Sequence, residues 1–145
     1  MARGTLVRPS KVKPLVCSPK YISRMLLDHT NSESKKIQVN HGIIAPGAAL
    51  LPPKAHGTLD DPYDETYVIL KGKCKIFLDG EVQDLEPGDV VFIPGGVYHG
   101  LDNSLGTEEV GILTIWAGAP PKGINEVYDL RIEKWGKSYK TIDEE

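Results

Sequence analysis

The sequence predicts an all-β fold, and three observations carry that prediction. Eleven prolines and fifteen glycines in 145 residues cut the chain into short apolar segments, the layout of strands joined by turns. Two segments, 37–44 and 73–78, alternate apolar and polar residues with the period of two that a half-buried strand requires. Asp79-Gly80 and Pro94-Gly95-Gly96 are tight-turn sequences set between apolar runs. A barrel or a sandwich satisfies all three.

The length fits one domain. Hydrophobic residues are 40%, charged residues 26% and the net charge is −3, as in an ordinary soluble protein. Lys and Arg are scattered among acids, which argues against a nucleic-acid surface. No apolar stretch approaches the ~20 residues of a membrane span, and Met1–Thr5 begins no apolar signal region. The expected location is cytoplasmic. Cys17 and Cys74 are far apart and show no metal or redox spacing, so reduced thiols are expected rather than a disulfide.

Taken in order, residues 1–15 are basic, interrupted by Pro9 and Pro14, and read as an extended arm that frays or docks on a partner subunit. Tyr21–Leu27 reads as a first strand, with a short helix as the alternative. Residues 28–36 form a polar loop, where His29 is expected to be solvated. In 37–44, Ile37, Val39, His41 and Ile43 share one face, and Pro46-Gly47 ends the segment. His41 is open to three readings: a rim histidine, a hydrogen-bonded core histidine or a ligand.

Further on, Cys74, Ile76 and Leu78 share a face, and Val82–Leu85 begins the return from the Asp79-Gly80 turn. Val90–Ile93 is a short apolar strand. After the 94–96 turn, Val97, His99 and Leu101 fall on the same inner face as Val91 and Ile93. Val110–Trp116 is a last strand, rich in β-branched and aromatic residues. Pro120 and Pro121 break the pattern, and 124–145 is a charged tail. Val127, Leu130, Ile132 and Trp135 are its candidate anchors. The expected division is an arm at 1–15, a barrel at 16–118 and a tail at 119–145 packed on the barrel or on a partner.

One stretch is specific. Gly88, five residues, Pro94, one residue, Gly96, two residues, His99, three residues and Asn103 resemble the second signature motif of the cupin superfamily, with every position filled. The resemblance implies a small double-stranded β-helix, or jelly-roll, barrel in which His99 binds a metal. The first motif is half present. Glu65, six residues and Gly72 match it, but His56 stands alone where the pattern has His-x-His, with Thr58 in the second position. The strand after Glu65 and the gap from His56 also resemble cupin-type glucose-6-phosphate isomerases.

The resemblance implies that His56, Glu65 and His99 share a divalent ion, with Fe, Mn, Ni or Zn all compatible with two imidazoles and one carboxylate. Thr58, Asp60, Asp61, Tyr63 and His41 are the candidates for a fourth ligand. Tyr67, Ile69, Cys74, Ile76, Val91 and Ile93 are expected on the inner wall. Tyr67 points the same way as Glu65, so its hydroxyl could orient a ligand or move a proton; with Glu65 it forms the candidate catalytic pair. Lys54, Lys71 and Tyr98 are placed near the barrel mouth.

Three functions fit. The first is a metal-dependent isomerase, epimerase or lyase acting on a small sugar-like or keto-acid molecule, with the ion polarising a carbonyl or diol. The second is an Fe(II) dioxygenase, which uses the same donor set. The third is a non-catalytic module that captures a small ligand. A homodimer is expected, since arm, tail and open strand edges offer surfaces to a second copy. No nucleic acid or membrane is expected as a partner.

Overall fold

The structure, a computed structural model, describes residues 3–56 and 63–145. Ten strands occur in chain order: β1 Leu15–Ser18, β2 Tyr21–Leu27, β3 Gln38–Ile44, β4 Ala49–Lys54, β5 Glu65–Lys71, β6 Cys74–Leu78, β7 Glu81–Leu85, β8 Val90–Ile93, β9 His99–Asp102 and β10 Val110–Trp116. A helix, α1, spans Glu126–Trp135. The strands form two antiparallel sheets, one ordered β1-β2-β3-β10-β5-β8 and the other β4-β9-β6-β7. The predicted all-β barrel is the observed one. Its core lies between the sheets, where Ile44, Ile69, Ile76, Ile93, Leu101 and Ile112 are nearly inaccessible.

The turns follow from backbone chemistry. Gly72 adopts φ 77°, and a Cβ there would stand 2.6 Å from the Glu109 carbonyl oxygen. Only glycine closes the β5–β6 corner without moving that backbone. Asn103, the last residue of the second motif, is 2% exposed. Its Nδ2 donates to the Ala45 and Glu108 carbonyls at 3.0 and 2.9 Å, so it ties two loops at one end of the barrel.

The period of β3 is as expected, and the inward face is the one opposite Ile37, Val39, His41 and Ile43. Gln38, Asn40 and Ile44 are buried with Gly42 between them, whereas Ile37 is 50% exposed. The physical reason is Tyr21. A Cβ on Gly42 would lie 2.3 Å from the Tyr21 hydroxyl, so the ring of β2 fills the inward side of β3 there. His41 therefore lies on the outer face, opposite Arg24 and Leu113.

β4 carries Pro52 and Pro53 and sits at a sheet edge, where a missing N–H is tolerated. The tail is better ordered than its charge suggests. Asn125 caps α1, its Oδ1 accepting from the Val127 and Tyr128 amides at 3.1 Å. Gly136, at φ 73°, ends the helix in the left-handed conformation that favours glycine. Of the expected anchors, Ile132 is 40% exposed, and the residue α1 buries is Arg131. Trp135 lies under the Lys140 ammonium, 5.5 Å from its ring centre.

The arm docks on the tail of its own chain. Val12, 1% exposed, bridges Thr141. The Lys13 amide donates to Lys140 at 2.8 Å, and the Ile142 amide to Lys11 at 3.1 Å. Cys17 and Cys74 are free thiols. No helix among the described residues is long and apolar enough to cross a membrane.

Candidate metal centre

Three strand ends meet inside the barrel. Glu65 opens β5 between Trp116 of β10 and Ile93 of β8. His99 opens β9 opposite Lys54, which brings His56, two residues further on, alongside it. The second-motif turn fixes the surroundings: the Gly96 amide donates to the His56 carbonyl at 2.8 Å, and the Gly95 amide to Asp64 at 2.9 Å. One turn thus holds the His56 backbone and the side chain of Asp64, the residue before Glu65.

Their potential ligand atoms all lie within 4.8 Å of one another. Glu65 Oε2 is 3.2 Å from His56 Nδ1 and 3.2 Å from His99 Nε2. His99 Nδ1 lies 2.9 Å from the Val97 carbonyl. A carbonyl only accepts, so Nδ1 donates, and in a neutral ring Nε2 keeps its lone pair towards Glu65. Glu65 Oε2 and His56 Nδ1 are buried without a hydrogen-bond partner, and Glu65 is 4% exposed. A buried carboxylate oxygen left without a hydrogen bond is costly. A divalent cation removes that cost. Adjacent ligands each ~2.1 Å from one ion stand about 3 Å apart, close to the spacing of Glu65 from each imidazole. The three residues fit a metal.

Burial pushes the His99 pKa down, but the adjacent Glu65 carboxylate and the Val97 carbonyl outweigh it and hold it above the ordinary value. Tyr67 lies on the same wall, its ring centre 5.9 Å from that of His99. Burial first, then the Glu65 charge, raises its hydroxyl well above the usual range.

The structure sorts the remaining candidates. Thr58, Asp60 and Asp61 lie outside the described residues. Tyr63 gives its O–H to the Gly118 carbonyl and packs on Trp116. His41 is on the outer face, away from the triad. The expected wall residues Tyr67, Ile69, Cys74, Ile76, Val91 and Ile93 are all buried in the core. Lys54 lines the cavity and pairs with Glu126 at 2.6 Å. Lys71 pairs instead with Glu109 at 3.1 Å, at the end of β5 remote from Glu65, and Tyr98 is 64% exposed.

The triad opens into a cavity of about 440 Å³ whose other walls include Tyr21, Asn40, Thr114 and Trp116, with α1 across it through Val127, Leu130 and Arg131. Sequence reasoning missed Asn40, Trp116 and Arg131 as wall residues. For Asn40 a signal existed: it shares its face with Gln38 and Gly42, a polar face inside an otherwise apolar strand.

The Cupin domain family matches residues 40–116, so the chain belongs to the cupins. An uncharacterised protein of Aquifex aeolicus (strain VF5) is 41% identical over 51 residues, 35% of this chain and 40% of that protein. The chain therefore spans well under half the length of that relative. Among solved structures, the polyketide cyclase RemF of Streptomyces resistomycificus superimposes with a TM-score of 0.69 at 18% identity, covering 91% of this chain and 94% of that one. A predicted oxalate decarboxylase of Thermotoga maritima gives 0.67 at 21%, covering 79% and 100%. KdgF of Halomonas sp. gives 0.62 at 16%, covering 74% and 89%. At these identities the structural matches speak for the fold.

Proposed function

We propose that this cupin binds one divalent ion through His56, Glu65 and His99 and acts on a small oxygenated molecule, by isomerase, epimerase or lyase chemistry. The observation that carries the reading is the buried, unpartnered Glu65 oxygen with an imidazole nitrogen 3.2 Å away on each side. A bound divalent ion supplies Lewis-acid polarisation of a carbonyl or vicinal diol. The chain supplies the rest. Val97 holds the His99 tautomer, Trp116 holds the His56 ring, and Tyr67 presents a protonated hydroxyl beside Glu65 that can donate to a substrate oxygen. Leu50, Leu101, Ile112 and Trp116 supply apolar wall between these polar groups, a mixture usual in a small-molecule site.

We also propose that the chain forms a homodimer through the outer face of the six-stranded sheet. At its β8 edge Val90 and Phe92 are 66% and 58% exposed, and Leu70 of β5 is 48% exposed beside them. An unpaired edge with an apolar outer face favours a second copy.

Elemental analysis of the purified protein tests the centre: close to one divalent ion per chain is expected, lost in His99→Ala. Incubation in deuterated water with uronates, keto acids and sugar phosphates tests the chemistry. Solvent deuterium should enter at the carbon next to a carbonyl in at least one of them. Exchange with none, alongside oxygen uptake after Fe(II) loading, would replace this reading by the dioxygenase one.

A further inference from the structure

The cavity has a second polar end. There α1 presents Arg131, 1% exposed. Its Nη2 donates to Ser23 Oγ, and its buried Nε has no partner. Among the described residues no carboxylate lies within ion-pair distance of it. Asp28 is already occupied by Thr30 and Ser138. On the facing wall Asn40, 4% exposed, has an amide oxygen that is also without a partner. Both residues line the cavity that holds the triad.

A buried guanidinium with one neutral partner is an expensive way to fill space, since an apolar side chain of similar length would dock the helix at lower cost. What it offers is a fork of donors matched to an anion.

We infer that the ligand of this cavity carries a carboxylate, which Arg131 binds, while Asn40 accepts from a hydroxyl of the same molecule. The inference rests on the proposed function, because it takes the triad to hold the ligand's other oxygens. It narrows the substrate class to small hydroxy- and oxo-carboxylates. A carboxylate fits better than a phosphate on charge. Arg131 supplies one positive charge, Glu65 is buried in the same cavity, and the Lys54 charge is already paired with Glu126. At the Arg131 end a single buried guanidinium matches the single charge of a carboxylate, and a phosphate dianion would be left with one charge unmatched there.

Calorimetric titration with glucuronate, glucose and inorganic phosphate tests this on the zinc-loaded and the metal-free protein, with zinc content measured in each sample. Glucuronate should bind more tightly than glucose or phosphate. Arg131→Met should weaken glucuronate about ten- to a hundredfold, the span of a charged hydrogen bond, and leave glucose binding and zinc content unchanged. The Tm of metal-free R131M should equal or exceed that of the wild type, as when an uncompensated buried charge is removed. If R131M does not fold, Arg131→Gln gives the same readout; failure of both to fold marks Arg131 as a structural residue and overturns the inference. Glucuronate binding that is no tighter than glucose, or is equal in wild type and variant, overturns it too. Zinc bound but carboxylates indifferent to Arg131 sinks this inference alone. Carboxylates bound through Arg131 with no zinc held sinks the metal reading alone.

Discussion

The His56 imidazole stands edge-on to the Trp116 indole, ring centres 4.7 Å apart at 70°. Tyr63 packs on the same indole at 5.1 Å. This aromatic wall sets the plane in which His56 can offer a nitrogen. Groups that orient ligands change metal affinity by about ten- to a hundredfold. Trp116→Phe is therefore expected to weaken zinc binding about tenfold with the far-ultraviolet circular dichroism unchanged. Competition against a chromophoric chelator measures it, and unchanged affinity would remove Trp116 from the account of the site.

Asn103 carries a structural load. Among the described residues it is the sole side-chain donor to the Ala45 and Glu108 carbonyls. Asn103→Ala removes both bonds; the Ala45 carbonyl keeps the Ala48 amide as a donor, so the cost is that of two lost hydrogen bonds, about 0.5–1.5 kcal/mol each. A loss of about 1–3 kcal/mol in urea unfolding is expected on that basis. A loss under about 1 kcal/mol would mean that water replaces the amide.

The tail has a pH signature. Lys137 first, then the Thr141 amide, holds the Glu144 carboxyl at about 2 against its ordinary 4.5. A depressed carboxylate stabilises the fold above its unfolded pKa, and that contribution fades as pH falls towards the folded value. The Tm gap between wild type and Glu144→Gln should be present at about pH 6 and close between 4.5 and about 2. The gap should also shrink in high salt, because the pair is exposed. A gap independent of pH contradicts this.

The proposed dimer predicts a clear solution result. Phe92, 58% exposed on the β8 edge strand, should be covered by the second copy. Sedimentation equilibrium should give a dimer for the wild type, and Phe92→Asp should shift it to monomer without loss of bound metal. A wild-type monomer at tens of micromolar ends the proposal.

Much of this was legible in the sequence because the signals were local. The spacing from Gly88 to Asn103 marked one hairpin, and Glu65 to Gly72 marked one strand. Period-two alternation then put Tyr67, Ile69, Cys74, Ile76, Val91 and Ile93 inside. The rest was decided at a distance. In β3 alternation alone does not say which face is inner; Tyr21 from the neighbouring strand fills the space above Gly42 and turns Gln38 and Asn40 inward. In β4, Pro52-Pro53 hides a strand that survives because it is an edge. Arg131 looked like one charge in a charged tail. Only its contact with Ser23, 108 positions away, shows that it is buried.

The pairing of Val12 with Thr141, and of Lys11 and Lys13 with Ile142 and Lys140, gives the chain's two extremities a shared mechanical role. They act as a strap that ties the segment after α1 to the segment before β1. A protease nick near residue 140, or a bulky fusion pulling on the first strand, would slacken that strap and loosen α1, which lies across the cavity. Ligand capture would then fail while the triad beneath stayed intact.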